Sequence, residues 1–218
     1  ARYWGKWSDD AEIEKAAQDF LGMSADDPER LLKHIRIFEM RRFPLAPDNL
    51  IQLIKEAGTK PEYNEDDRFT TKTQIVVSAF RALAHVSHPD VRQLALDLIE
   101  KRHWIGYAAS LLLSNWELED WALMEMLTKE QLDPFDYHGL GLDILAIFRQ
   151  HPAPEAAQAL FNLYEYGPCS FCRESWPEAL ASINRLPDWM REECRHDSSF
   201  DLREWAENLD APQSESTD

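Results

Sequence analysis

The residue types best suited to chemistry in this chain are Cys169-x-x-Cys172 and Cys194-x-His196. Together they offer three thiols and one imidazole, and Cys194 stands 22 residues beyond Cys172, a spacing within the range of zinc sites. Zinc takes four soft or borderline donors in a tetrahedron, and Cys169 and Cys172 around a helix start can supply two of them. A structural reading competes: Cys172 faces the core, Cys169 caps a helix, and Cys194 packs against Trp189 or Trp205. A redox pair is a third reading, since a helix N-terminus lowers the pKa of a nearby thiol. The βαβ context of a thioredoxin-like motif is missing, however. Three cysteines in 218 residues do not make a disulfide framework, so reduced thiols in a cytoplasmic protein are expected. Zinc apart, no cofactor is expected.

Other chemistry finds little footing. There is no Gly-x-Ser-x-Gly elbow and no Walker-type phosphate loop. Gly139-Leu140-Gly141 lies inside a helical pattern, where small residues permit close helix packing. Adjacent carboxylates occur at Asp9-Asp10, Asp26-Asp27, Asp66-Asp67 and Glu192-Glu193. With 40 acidic residues such pairs arise without design. No catalytic acid, base or nucleophile is assigned, and the chain is expected not to be an enzyme.

Charge is more informative. Lys and Arg number 23 against 40 Asp and Glu, a formal net charge of −17. A protein this acidic repels phosphate backbones, which disfavours nucleic acid as a partner. The asymmetry is strong: residues 151–218 hold five basic and 14 acidic residues, whereas residues 1–60 hold 10 and 11. Aromatic side chains ringed by acid suit docking of a basic protein. That reasoning selects Trp176, Trp189, Glu192 and Glu193 as a candidate binding face, with Trp205 expected in the core. Arg30, Lys33, Arg36, Arg41 and Arg42 form the one basic cluster. It reads either as a solvated face paired with Glu29 and Glu39 or as a docking patch for an acidic surface. No apolar run approaches the roughly 18 residues of a membrane span, and no basic-then-apolar start marks a signal peptide.

The elements that must position these residues read as helices. In 88–100, Val91, Leu94, Ala95, Leu98 and Ile99 fall on one stripe of 3.6-residue periodicity. Pro89 sits in a first turn, where proline is tolerated. The segment 116–127 reads as a helix capped by Asn115, with Leu118, Trp121, Ala122 and Met126 inward. The segment 152–166 repeats the pattern through Ala156, Ala157, Leu160, Leu163 and Tyr164. Further helices are expected over 10–21, 28–41, 47–57, 72–85, 104–113, 135–149, 170–184, 187–195 and 200–208. Little alternates with period two, so the chain is expected to be all-α. The segment 58–71 is polar, lacks periodicity and is expected to be a flexible surface loop or a soft boundary between an N-terminal part and the rest. Residues 1–208 are expected to form a single domain, and 209–218 a disordered acidic tail. The aromatic start, Arg2 to Trp7, is a candidate cap over the first helices.

Self-similarity sharpens the picture. Asp90-Val91-Arg92-Gln93-Leu94-Ala95 matches Asp201-Leu202-Arg203-Glu204-Trp205-Ala206, and His88-Pro89 recurs as His151-Pro152. Helix starts near 89, 116, 152 and 187 are spaced by about one helical hairpin. A lone hairpin cannot bury both apolar faces, so such units stack. The Asp-Val-Arg-x-x-Ala motif after a proline turn resembles the second helix of a HEAT repeat, over about 72–208. Pro168-Cys169-Ser170-x-Cys172-Arg173, Asp188-Trp189 and Glu193-Cys194-Arg195 resemble a bacterial HEAT-like subgroup. The resemblance implies an α-solenoid of stacked antiparallel hairpins, with Asp90, Arg92, Asp201 and Arg203 in a ladder between repeats. The iron ligands of deoxyhypusine hydroxylase, a HEAT-repeat enzyme, lie on His-Glu pairs, and this chain has none. HEAT-like DNA glycosylases use a basic concave face, which this acidic chain lacks. The expectation is therefore a non-enzymatic protein-binding scaffold or adaptor. Its alternatives are an inhibitor or immunity-type protein that neutralises a basic nuclease, and a metal- or thiol-dependent site at the cysteines.

Overall fold

The computed structural model describes residues 1–24, 26–169 and 172–209. Among these residues the regular structure is helical, with no β-strand, so the chain is all-α. Contacts gather into two compact units. The first comprises Ala1–Asp120 and Gln131–His151, and the second comprises Trp121–Glu130 and the residues from Pro152 onward. The segment 58–71 lies within the first unit.

The first unit holds α1 (Arg2–Trp7), α2 (Asp10–Leu21), α3 (Pro28–Ile35), α4 (Asp48–Lys55), α5 (Thr71–Leu83), α6 (Pro89–Glu100), α7 (Ile105–Ala108) and α9 (Pro134–Gln150). Capping fixes many of the starts. Asp9 and Glu12 form a reciprocal capping box on α2, and Asp27, Thr70 and Asp133 cap α3, α5 and α9 through their side chains. All five apolar positions expected on α6 are buried. Ile75, Val76 and Val77 are also buried, inside helix α5, so tertiary packing overrides their β-branched preference. The aromatic start is helix α1. Arg41 holds it by bonding the carbonyl oxygens of Gly5 and Ser8.

The segment 58–71 makes several hydrogen bonds, within itself and to Trp104. The Trp104 indole donates to the Gly58 carbonyl at 2.6 Å, and the Trp104 amide donates to Thr59 at 3.0 Å. An isolated antiparallel bridge joins Tyr63 to Phe69, and the Asn64 side chain accepts from the amides of Asp66 and Arg68. Trp104 itself holds φ of 52°, a costly conformation for a bulky residue that these bonds maintain.

The second unit holds α8 (Asp120–Thr128) apart from its first residue, with α10 (Ala157–Tyr166), α11 (Ser175–Ser182), α12 (Asp188–Cys194) and α13 (Phe200–Asn208). Helix α8 starts four residues later than the periodicity suggests. Asn115 does not cap it: its side chain accepts from the His88 amide and donates to the carbonyls of Val86 and Leu111. The shifted start changes the inward face. Trp121, Met124 and Leu127 are buried, while Leu118 and Met126 are exposed. The expected tail lies, from residue 210 on, outside the described residues, as do Ser170 and Phe171 of the expected 170–184 helix.

Candidate functional site

The predicted face on the second unit assembles in part. Helix α12 carries Trp189, Glu192 and Glu193. Trp189 is 57% exposed, with its ring edge-on to Tyr164 of α10 at 6.3 Å between centroids. Tyr164 is held from another side by Arg173, whose guanidinium lies 4.4 Å from the ring centroid and donates to the phenol oxygen at 3.0 Å. Arg173 also pairs with Glu193 at 2.5 Å and with Asp197 at 3.4 Å. One arginine therefore links the aromatic pair to the acids of α12 and the turn that follows it. Burial pushes the Tyr164 hydroxyl up to about 12, with Arg173 opposing the shift, so the phenol is neutral at physiological pH.

Trp176, expected on this face, is a core residue at 3% exposure. It follows the first residue of α11 and turns inward with Leu180. Trp205, expected in the core, is half-buried. The acids of α12 are more neutralised than their sequence suggests. Glu192 pairs with Arg195 at 2.6 Å and with His196 at 3.3 Å, and Asp188 pairs with Arg191 at 2.8 Å. The bonds from Arg195 and His196 hold the Glu192 carboxyl below its usual range. Helix α13, which packs on α12, carries three exposed acids for which the described residues supply no ion pair. Asp201, Glu204 and Glu207 recur every three residues along one side of it.

The four-ligand zinc set does not form. Cys194 is buried with its thiol in hydrogen-bonding reach of Tyr164, and burial pushes that thiol up. His196 is 77% exposed in its side chain and bonds Glu192. Neither joins Cys169 and Cys172, whose sulfurs do lie near each other, within 4.8 Å. Cys194, the last residue of α12, turns to the core, whereas His196, beyond the end of the helix, faces solvent.

The basic cluster is likewise dispersed. Arg41 is committed to Gly5, Ser8 and Asp10, and Arg36 donates to Gln74 at 2.7 Å. Arg30, Lys33 and Arg42 remain exposed. The expected partner Glu39 is buried and serves Arg2, Arg81 and Ser78 instead. Glu29 accepts from Thr71.

The sequence did not mark Tyr164, Arg173 and Asp197 as members of the face. Tyr164 reads as one more inward residue of a helical stripe. Only contact across α10, α12 and the stretch before α11 shows that its ring supports Trp189. Comparison with known proteins finds no match: no family model, curated protein or solved structure is similar to this chain.

Proposed function

We propose that this chain is a non-enzymatic, HEAT-like α-solenoid protein whose second unit docks a basic protein segment through α12 and α13. The observation that carries this reading is Trp189, a large aromatic side chain left more than half exposed yet fixed against the Tyr164–Arg173 clamp. A pre-positioned aromatic loses little entropy on binding, which is what makes such residues anchors. Asp201, Glu204 and Glu207 supply negative charge that no ion pair within the described residues cancels. Such charge favours a Lys- or Arg-rich partner and speeds encounter. A repeat architecture is supported by Arg92. This motif arginine reaches from α6 to Asp120 at the start of α8 with two bonds of 2.7 and 2.9 Å. Arg203, its counterpart, turns back to the carbonyls of Asp197 and Ser198.

The test is affinity capture from lysate at low and moderate salt with three proteins. These are the wild type, Trp189→Ala, and the triple variant Asp201→Lys, Glu204→Lys, Glu207→Lys. The expected result is a basic protein held by the wild type and lost by both variants, with binding weakened by salt. Identical catches from all three would remove this face as the docking surface.

A further inference from the structure

Cys169 and Cys172 are left over once the zinc set is dismissed. They lie in the stretch between α10 and α11, where the Cys172 amide donates to the Cys169 carbonyl at 3.2 Å. A bond of this kind between residues three apart keeps their Cα atoms within about 7 Å, close to the reach of a disulfide. Their sulfurs are within 4.8 Å, and both residues are partly accessible. From this geometry we infer that Cys169 and Cys172 form a thiol-oxidation site, closing an intramolecular disulfide by exchange with a glutathione-type disulfide, and that closure loosens the clamp on Trp189.

The route to the clamp is short. Arg173 follows Cys172 directly, and the Cys172 carbonyl accepts from the Ser175 amide at the start of α11. Bringing the two sulfurs to a bonding distance of about 2.05 Å moves Cys172 and the backbone of Arg173 with it. Arg173 holds Tyr164, Glu193 and Asp197 together, so its displacement frees the support under Trp189. Control of docking by this step rests on the proposed function; the disulfide itself does not.

The chemistry balances. Burial and the neighbouring Cys169 push the Cys172 thiol up to about 11. One of the two cysteines attacks first, as the thiolate, on one sulfur of glutathione disulfide, and one glutathione thiolate leaves. The other then loses its proton and attacks the protein sulfur of the mixed disulfide, expelling the second glutathione. Two protein thiols are oxidised, one glutathione disulfide is reduced to two thiols, and no other reactant is needed. The scarcity of thiolate makes the exchange slow at neutral pH.

The experiment equilibrates the full chain with oxidised and reduced glutathione at about pH 9, where thiolate is more abundant. It reads intact mass, peptide mapping and tryptophan emission. The expected results are loss of two hydrogen atoms, a Cys169–Cys172 linkage, and an emission change that is absent from Trp189→Phe. Cys169→Ser and Cys172→Ser are each expected to abolish both signals. A chain that stays fully reduced, or carries only glutathione adducts, would overturn the oxidation site. A disulfide that forms without altering Trp189 emission would overturn its link to the face. Loss of partner capture by Trp189→Ala is scored separately, so failure of docking does not mimic failure of the disulfide.

Discussion

Arg92 shows how much one side chain can hold. Its guanidinium grips both oxygens of Asp120, reaches Glu117 at 2.8 Å and donates to the Asn115 carbonyl at 2.8 Å. The Asp120 side chain is 6% exposed, so removing Arg92 strands a buried carboxylate. Arg92→Ala is expected to lower unfolding free energy by about 3 kcal/mol, measured as a fall in the urea midpoint. Arg92→Lys is expected to recover only part, because a point charge cannot make the bidentate bond. A second residue works through pH. Burial pushes the Asp136 carboxyl up to about 6, reinforced by Asp133, while the Gly106 amide opposes the shift. Asp133 is held low, chiefly by the Asp136 amide. Folded Asp136 therefore keeps a proton that the unfolded chain gives up near pH 4, so stability falls as pH rises from about 4 to 6. The contribution of Asp133 runs the other way and is lost only at lower pH. Asp136→Asn mimics the protonated form, and at pH 7 a gain of about 1 kcal/mol is expected after allowance for its solvent contact. The slope between pH 4 and 6 should flatten. An unchanged slope in urea titrations across that window would show that Asp136 is not the group responsible.

At the scale of elements, α7 and α9 cross at a pair of glycines. A Cβ on Gly139 would meet the Gly106 carbonyl oxygen at 2.6 Å, and one on Gly106 would meet the Asp136 carboxylate at 2.8 Å. The obstacles at Gly139 are all backbone atoms of Gly106, which cannot swing aside. Gly139→Ala is expected to cost about 1–3 kcal/mol despite the better helix propensity of alanine, which thermal denaturation would show as a lower midpoint. This is also where the sequence is most and least legible. Periodicity located α2, α6 and α13 closely, and it marked Gly139 as a packing position. It misplaced the start of α8, because Asn115 had two equally good uses, capping a helix or tying loops, and local pattern does not choose between them. Helix α1 was legible only as an aromatic cluster, since its hold on the protein comes from Arg41, more than 30 residues away. The face followed the same logic. Trp189 and Glu193 sit on one short helix and were visible in sequence, whereas the Tyr164–Arg173 clamp depends on three segments meeting. Trp176 failed as a surface residue because sequence proximity to acidic residues does not say which way its helix turns it.

At the scale of the whole molecule, the decisive quantity is charge. Forty acidic residues face 23 basic ones, so the compact chain pays a repulsive cost that the expanded chain relieves. The ion pairs described above work in the opposite sense, but those on α12 are exposed and worth little, and the partly buried Arg92–Asp120 pair is only weakly screened. Added salt shortens the screening length from about 30 Å at 0.01 M to about 8 Å at 0.15 M, which removes long-range repulsion while leaving the buried pair intact. Stability is therefore expected to rise with salt, by about 1 kcal/mol or about 2–4 °C in thermal midpoint for a chain of this length. The same field predicts that the protein passes through a DNA column at low salt without retention. Calorimetric scans across that range of potassium chloride, with sucrose at matched osmolality as a control for exclusion effects, decide the first point. A midpoint that falls with salt would mean that specific ion pairs, rather than net repulsion, set the electrostatic balance, and the unpaired acids of α13 would then be a minor feature rather than the charge that draws a basic partner.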